Sequence, residues 1–235
     1  MLLAFAITVG GLAGNLLAAL RSVEAIAPSD SSSVTFVIDA GHGGVDCGTV
    51  GVNGCYEKDL NLLYAEQLKA LLTEAGYHAV LTRTEDRLLY KENEDIPGKR
   101  KHYDLKNRLD IAESYDNAVL ISIHMNSFSE EKYKGFQVYY SPACEESRLL
   151  AEGMQRAVKK ELQPWNNRTV KKSEGTIYLL DNATIPAVLV ECGFLSNREE
   201  CALLGEEDYQ KQLCFLLFCA MIEYSKGMES DGGSL

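Results

Sequence analysis

Among the few residues of this chain whose types could do chemistry, three share one placement and a fourth joins them. His42 follows the apolar run VTFVIDAG, His124 closes VLISI, and Glu191 closes AVLV, so each is poised where a strand would leave the core. In an open α/β sheet that is where ligands bind. Glu57 comes just after the turn Val52-Asn53-Gly54, at the first turn of a leucine-rich helical segment, where a carboxylate also suits the helix dipole. Two imidazoles and one carboxylate form the His₂Glu set that holds a catalytic zinc and leaves a position open for water. His42, Glu57 and His124 are therefore the expected ligands of one Zn²⁺ per chain, and Glu191 the base that takes a proton from water and returns it to a leaving amine. Taken singly, each has a plainer role: a hydrogen-bonded core histidine, a helix-start acid, a paired strand-end acid.

Two rival chemistries use overlapping residues. The run Gly41-His42-Gly43-Gly44 resembles a dinucleotide loop, but Asp46 replaces the third glycine and no helix opens directly behind it. Cys192 beside Glu191 could be a nucleophile, but it lies in a buried run with no local activating signature. The seven cysteines, an odd number without a CxxC pair, argue against a complete disulfide framework and against a closed Cys-rich zinc site.

The elements that must position these groups alternate between strand and helix patterns. Strand signals fall at 34–39, 77–82, 119–124, 136–140 and 187–191, and helix signals at 58–75, 104–113, 146–162 and 209–224. This predicts a single α/β domain over residues 34–226, with a mixed, mostly parallel twisted sheet flanked by helices. The charged stretch 85–106 is expected to be a solvated insertion loop, and residues 227–235 a disordered tail.

Before the domain, residues 1–20 carry no charge, a length of apolar chain able to cross a bilayer. Residues 1–27 are expected to be a signal peptide or membrane anchor, with Ala25-Ile26-Ala27 resembling a cleavage site. A polar linker, 28–33, follows. The formal charge of −11 opposes phosphate neutralisation, so no nucleic-acid partner is expected.

Six segments in this order, VIDAGHGGVDCGTVG, YEKDLNLLYAEQLKALL, VLTRTED, DLKNRLDIAESYDNAVLISIHMNS, GFQVYY and IPAVLVECGFLSNREE, resemble the zinc-dependent N-acetylmuramoyl-L-alanine amidases of the amidase 3 family. The resemblance spans residues 34–224. It implies zinc on His42, Glu57 and His124, catalysis by Glu191, and hydrolysis of the amide between N-acetylmuramic acid and L-alanine in peptidoglycan. Asn126 and Ser127 then lie beside the metal, while Arg83 and Arg108 match basic family positions taken as structural, with a carboxylate pairing of Arg108 at the sheet edge.

Ala40 stands where the family often has proline, and Cys47, Cys55 and Cys192 occupy positions usually apolar or small. Lys58-Asp59-Leu60, Ile177-Tyr178-Leu179-Leu180 and the SNREE segment are similar to the sporulation subgroup, which implies export, action on cell wall or forespore cortex, and dependence on a sporulation partner protein. The implied substrate, glycan strands with stem peptides, needs an open groove. Trp165 and Lys171 in the loop 163–175 are expected to line it, with Asn126 nearby. A zinc peptidase cutting stem peptides and a non-catalytic wall-binding domain are the alternatives, the second requiring a lost ligand or base.

Overall fold

A computed structural model describes residues 34–231. The expected signal or anchor and the linker lie outside them. Six strands form one sheet in the order β2-β1-β3-β6-β4-β5. They are β1 (Thr35–Ala40), β2 (His78–Leu81), β3 (Ala118–Asn126), β4 (Gln137–Tyr140), β5 (Lys171–Lys172) and β6 (Ala187–Phe194). Neighbours run parallel except β4 against β6, which is antiparallel. The mixed, mostly parallel sheet predicted from the sequence is therefore the one observed.

Side chains alternate across a strand, and the alternation sorts the sheet into two faces. Phe36, Ile38 and Ala40 of β1, Val119, Ile121 and Ile123 of β3, and Val188, Val190 and Cys192 of β6 share one apolar cluster. It is covered by helix α1 (Glu57–Glu74) through Tyr64, Leu68 and Leu72, by α3 (Glu145–Glu161) through Leu150, Met154 and Val158, and by α6 (Glu207–Asp231) through Leu213, Leu217 and Met221. The opposite face is smaller. There Val37, Leu120, Ala187 and Leu189 pack against α2 (Arg100–Glu113) and α4 (Tyr178–Asn182). α5 (Arg198–Leu204) follows β6 directly.

On this second face the apolar run gives way to polar residues toward the strand ends: Val37 to Asp39, Leu120 to Ser122 and His124, Leu189 to Glu191. The same period of two that fills the core therefore delivers the chemistry-bearing side chains to one side of one sheet end.

Two expectations need correcting. The stretch 85–106 is not wholly a loop, because a short 3₁₀ turn covers Glu92–Glu94 and α2 begins at Arg100. Most of its polar side chains are exposed, but Asp104 turns inward and accepts from Leu89 N at 2.7 Å, and Asn107 just beyond it donates Nδ2 to the Leu89 carbonyl at 2.7 Å. Arg108 does pair with carboxylates, but at the central strand β1 rather than at a sheet edge. In addition α6 continues to Asp231, past the domain end read from the sequence. Among the described residues no helix is long and apolar enough to cross a membrane.

Candidate active site

The loop after β1 holds His42 with φ +63°, a left-handed backbone that a non-glycine residue adopts only at a cost of order 1–3 kcal/mol. Two buried arginines secure it by binding successive carbonyls. Arg108 donates Nη1 to Ala40 O at 2.7 Å and Nη2 to His42 O at 2.6 Å. Arg83 donates Nε to Ala40 O at 2.8 Å and Nη2 to Gly41 O at 3.1 Å. Asn61 of α1 adds a bond to Gly41 O at 3.1 Å. Gly41 is required sterically, since a Cβ there would lie 2.2 Å from His124 Nε2.

Arg108 is itself held by Asp104 Oδ2 at 2.9 Å and Asp39 Oδ1 at 2.7 Å, with all three side chains almost fully buried. Asp39 also accepts from Thr82 Oγ1 at 2.6 Å and Ser122 Oγ at 2.7 Å. Burial alone would raise its pKa, but the Arg108 cation and these hydrogen bonds overcome it and hold the carboxyl at about 2.

Glu57 opens α1 and is buried, with Oε2 accepting from Thr49 N at 2.8 Å and Oε1 from Met125 N at 3.2 Å. The same Oε1 lies 2.9 Å from His124 Nδ1 and 3.2 Å from His42 Nε2. The imidazole centroids are 4.9 Å apart with the planes near edge-to-face. Burial would raise Glu57, yet both histidines hold it far below the usual carboxylate range. Burial likewise opposes the His42 cation, and Glu57 and Asp46 together raise its pKa above 6.5.

The donor atoms of His42, Glu57 and His124 all lie within 4.8 Å of one another, as a cation site requires. Ligands about 2.1 Å from a tetrahedral zinc stand roughly 3.4 Å from each other. The 2.9 and 3.2 Å contacts of Glu57 are of that size. Donor set and spacing therefore fit a zinc ion.

Glu191 is paired with His124 along the β3–β6 ladder and with Gln137 along β4–β6. Between His124 and Asn126 the register shifts, the kind of irregularity that re-aims side chains beside a site. Glu191 Oε2 is buried and, among the described residues, has no hydrogen-bond partner. Burial pushes the carboxyl up; His124 lowers it, Glu57 raises it, and the result is about 7. That value suits a group that must both take and give a proton near neutral pH.

The four residues singled out in the sequence thus meet at one sheet end. The three proposed groove residues are spread further. Asn126 lies just beyond the register shift, its Oδ1 accepting from Ser127 N at 2.7 Å. Trp165 is half-exposed with Lys134 Nζ 4.8 Å from its ring, in a cleft of about 380 Å³ shared with Tyr133 and Arg168. Lys171 lies on the edge strand β5, its ammonium over Tyr139, which shares the Glu191 face of the sheet.

Sequence reasoning missed two groups. Asp46 Oδ1 stands 3.0 Å from His42 Nδ1, out of line for a hydrogen bond, and Lys101 holds its other oxygen at 2.9 Å. The signal was the four-residue spacing. Arg168 Nη1 donates at 2.9 Å to Gln137 Oε1, directly across from Glu191, and its guanidinium covers Phe194 at 4.5 Å. The signal there was a glutamine inside an otherwise apolar strand.

Comparison with known proteins gives one consistent result. A family model described as N-acetylmuramoyl-L-alanine amidase matches residues 36–220. The germination-specific N-acetylmuramoyl-L-alanine amidase of Bacillus subtilis (strain 168) is 34% identical, over 80% of this chain and 78% of that protein. The CwlD amidase from Clostridioides difficile, solved in complex with the GerS lipoprotein, superposes with a TM-score of 0.75 at 39% identity, covering 81% of this chain and 97% of that one. The catalytic domain of CwlV from Bacillus (Paenibacillus) polymyxa gives 0.67 at 32% identity, covering 82% and 97%.

Proposed function

Since the chain belongs to the amidase 3 family and is an N-acetylmuramoyl-L-alanine amidase, we propose that it is a zinc enzyme of the exported, spore-cortex type. On this reading His42, Glu57 and His124 hold the metal and Glu191 is the catalytic acid–base. The observation that carries it is the convergence of two imidazoles and a buried carboxylate on donor distances suited to zinc, beside a second carboxylate whose buried Oε2 has no hydrogen-bond partner among the described residues. When bound, zinc polarises the lactyl carbonyl and lowers the pKa of its water.

The chain's own residues do the rest. Arg83 and Arg108 keep the His42 loop in its strained backbone form, and Thr49 and Met125 amides orient Glu57 so that one oxygen faces both histidines. Glu191 takes the proton from the attacking water and delivers it to the departing L-alanine amine, a double role that its raised pKa suits. Asn126, Trp165 and Lys171 are assigned to substrate: Trp165 packs on sugar or peptide, and Lys171 and Arg168 meet stem-peptide carboxylates. The resemblance to the sporulation subgroup supports cortex peptidoglycan as the substrate, and the lipoprotein bound to one relative supports a partner of that kind. Residues 1–27 carry the enzyme across or onto the membrane.

The test is mass analysis of muropeptides after incubating purified wall with the protein, with and without chelator. New L-alanine amino termini on intact glycan strands, abolished by chelation and restored by zinc, are expected. Cleavage between stem-peptide residues instead, or undiminished release under chelator, would overturn the reading. His124→Ala is expected to lose bound zinc as measured by elemental analysis.

A further inference from the structure

Away from the reacting cluster, two thiols distant in sequence face each other. Cys55 lies two residues before Glu57, and Cys201 on α5. Their Sγ atoms are 3.9 Å apart across a sequence separation of 146 residues. Gly51 makes the approach possible: a Cβ there would lie 2.7 Å from Cys55 Sγ and 2.9 Å from Cys201 Sγ.

Both backbones are already anchored. Gly51 N donates to Cys55 O at 2.8 Å, Cys55 N to Asn53 Oδ1 at 3.0 Å, Val52 N to Leu195 O at 3.1 Å, and Cys201 N to Asn197 O at 2.8 Å. The sulfurs have less than 2 Å to close to reach a bond of about 2.05 Å.

We propose that Cys55 and Cys201 are a disulfide-forming pair whose bond staples the segment leading into Glu57 to the helix behind β6, the strand that carries Glu191. The reaction is exchange with a disulfide donor, an oxidised dithiol or oxidised glutathione. The thiolate of one cysteine attacks a donor sulfur and releases one donor thiol. The second cysteine, losing its proton to the departing sulfur, then displaces the other. Two protein thiols are oxidised to one disulfide, and one donor disulfide is reduced to two thiols. The staple would restrain the segment whose Thr49 amide holds Glu57, and it stands independently of the zinc assignment.

The experiment incubates the reduced full-length protein with oxidised glutathione at mildly alkaline pH, followed by non-reducing proteolysis and peptide mass mapping. A Cys55–Cys201 cross-linked peptide pair is expected, about 2 Da lighter than its two reduced peptides together. Closing so long a loop is expected to raise the thermal midpoint by roughly 5–10 °C. Cys55→Ser and Cys201→Ser should each show neither the cross-link nor the shift. Exposed Cys219 serves as the internal control, because it should take up glutathione in every variant. If Cys219 reacts while Cys55 and Cys201 stay alkylatable, or each carries its own glutathione, the proposal is overturned. The wild-type peptide map decides the matter even should a variant fold poorly.

Discussion

Two carboxylates on the same face of the sheet have opposite fates. Asp39 on β1 is surrounded by Arg108, Thr82 and Ser122 and is drawn down to about 2. Glu191 on β6 is partly buried, keeps an Oε2 with no hydrogen-bond partner among the described residues, and is driven up to about 7. Burial penalises both; the supply of donors separates them. The saturated carboxylate is committed to structure, where it fixes Arg108 and through it the His42 carbonyl. The under-satisfied one is left free to exchange a proton, the pattern that marks reacting groups.

The sharpest way to break the structural half is Arg108→Met, which strands Asp39 and Asp104 as unpaired buried charges. Removing one partner of such a group costs about 3–5 kcal/mol, so urea unfolding of the variant should show a loss of that size. An Arg108→Met, Asp39→Asn double variant should recover part of it. A loss under about 1 kcal/mol would show that the cluster is not saturated in the sense described.

A smaller effect is expected at the boundary between the two regions. Asp46 faces the far nitrogen of His42, and removal of a group that orients a metal-binding histidine typically weakens metal affinity 10–100-fold. Asp46→Asn should do so in a zinc competition titration while leaving the fold intact, and unchanged affinity would remove Asp46 from the site.

The smallest effect is acid sensitivity. Asp39 has a folded pKa near 2 against an ordinary 3.8, so its ionised form stabilises the protein above about pH 4. That contribution is lost as pH falls from about 4 toward 2. The gap corresponds to on the order of 2 kcal/mol, and Asp39→Asn should flatten this part of the stability–pH curve. An identical acid limb in that variant would assign the loss to other carboxylates.

His42, His124 and Glu191 were legible because each follows an apolar run that reads as a strand, and Glu57 because it opens a leucine-rich helix. His124 and Glu191 come out as neighbours once β3 and β6 pair. What pattern could not supply depends on which distant segments meet. Gln137 looks out of place in its strand until the antiparallel ladder sets it opposite Glu191 and beneath Arg168. Asp104 reads as part of a solvated charged stretch because nothing local shows that Leu89 and Arg108 use it inward. The nearness of Cys55 and Cys201 likewise exists only in the folded chain.

The division between a saturated and a free carboxylate is tested most directly by Glu191→Gln, with zinc content and turnover on purified peptidoglycan measured on the same preparation. Full zinc occupancy with turnover reduced on the order of 10²–10⁴-fold is the predicted result. Turnover close to wild type with zinc in place would contradict it.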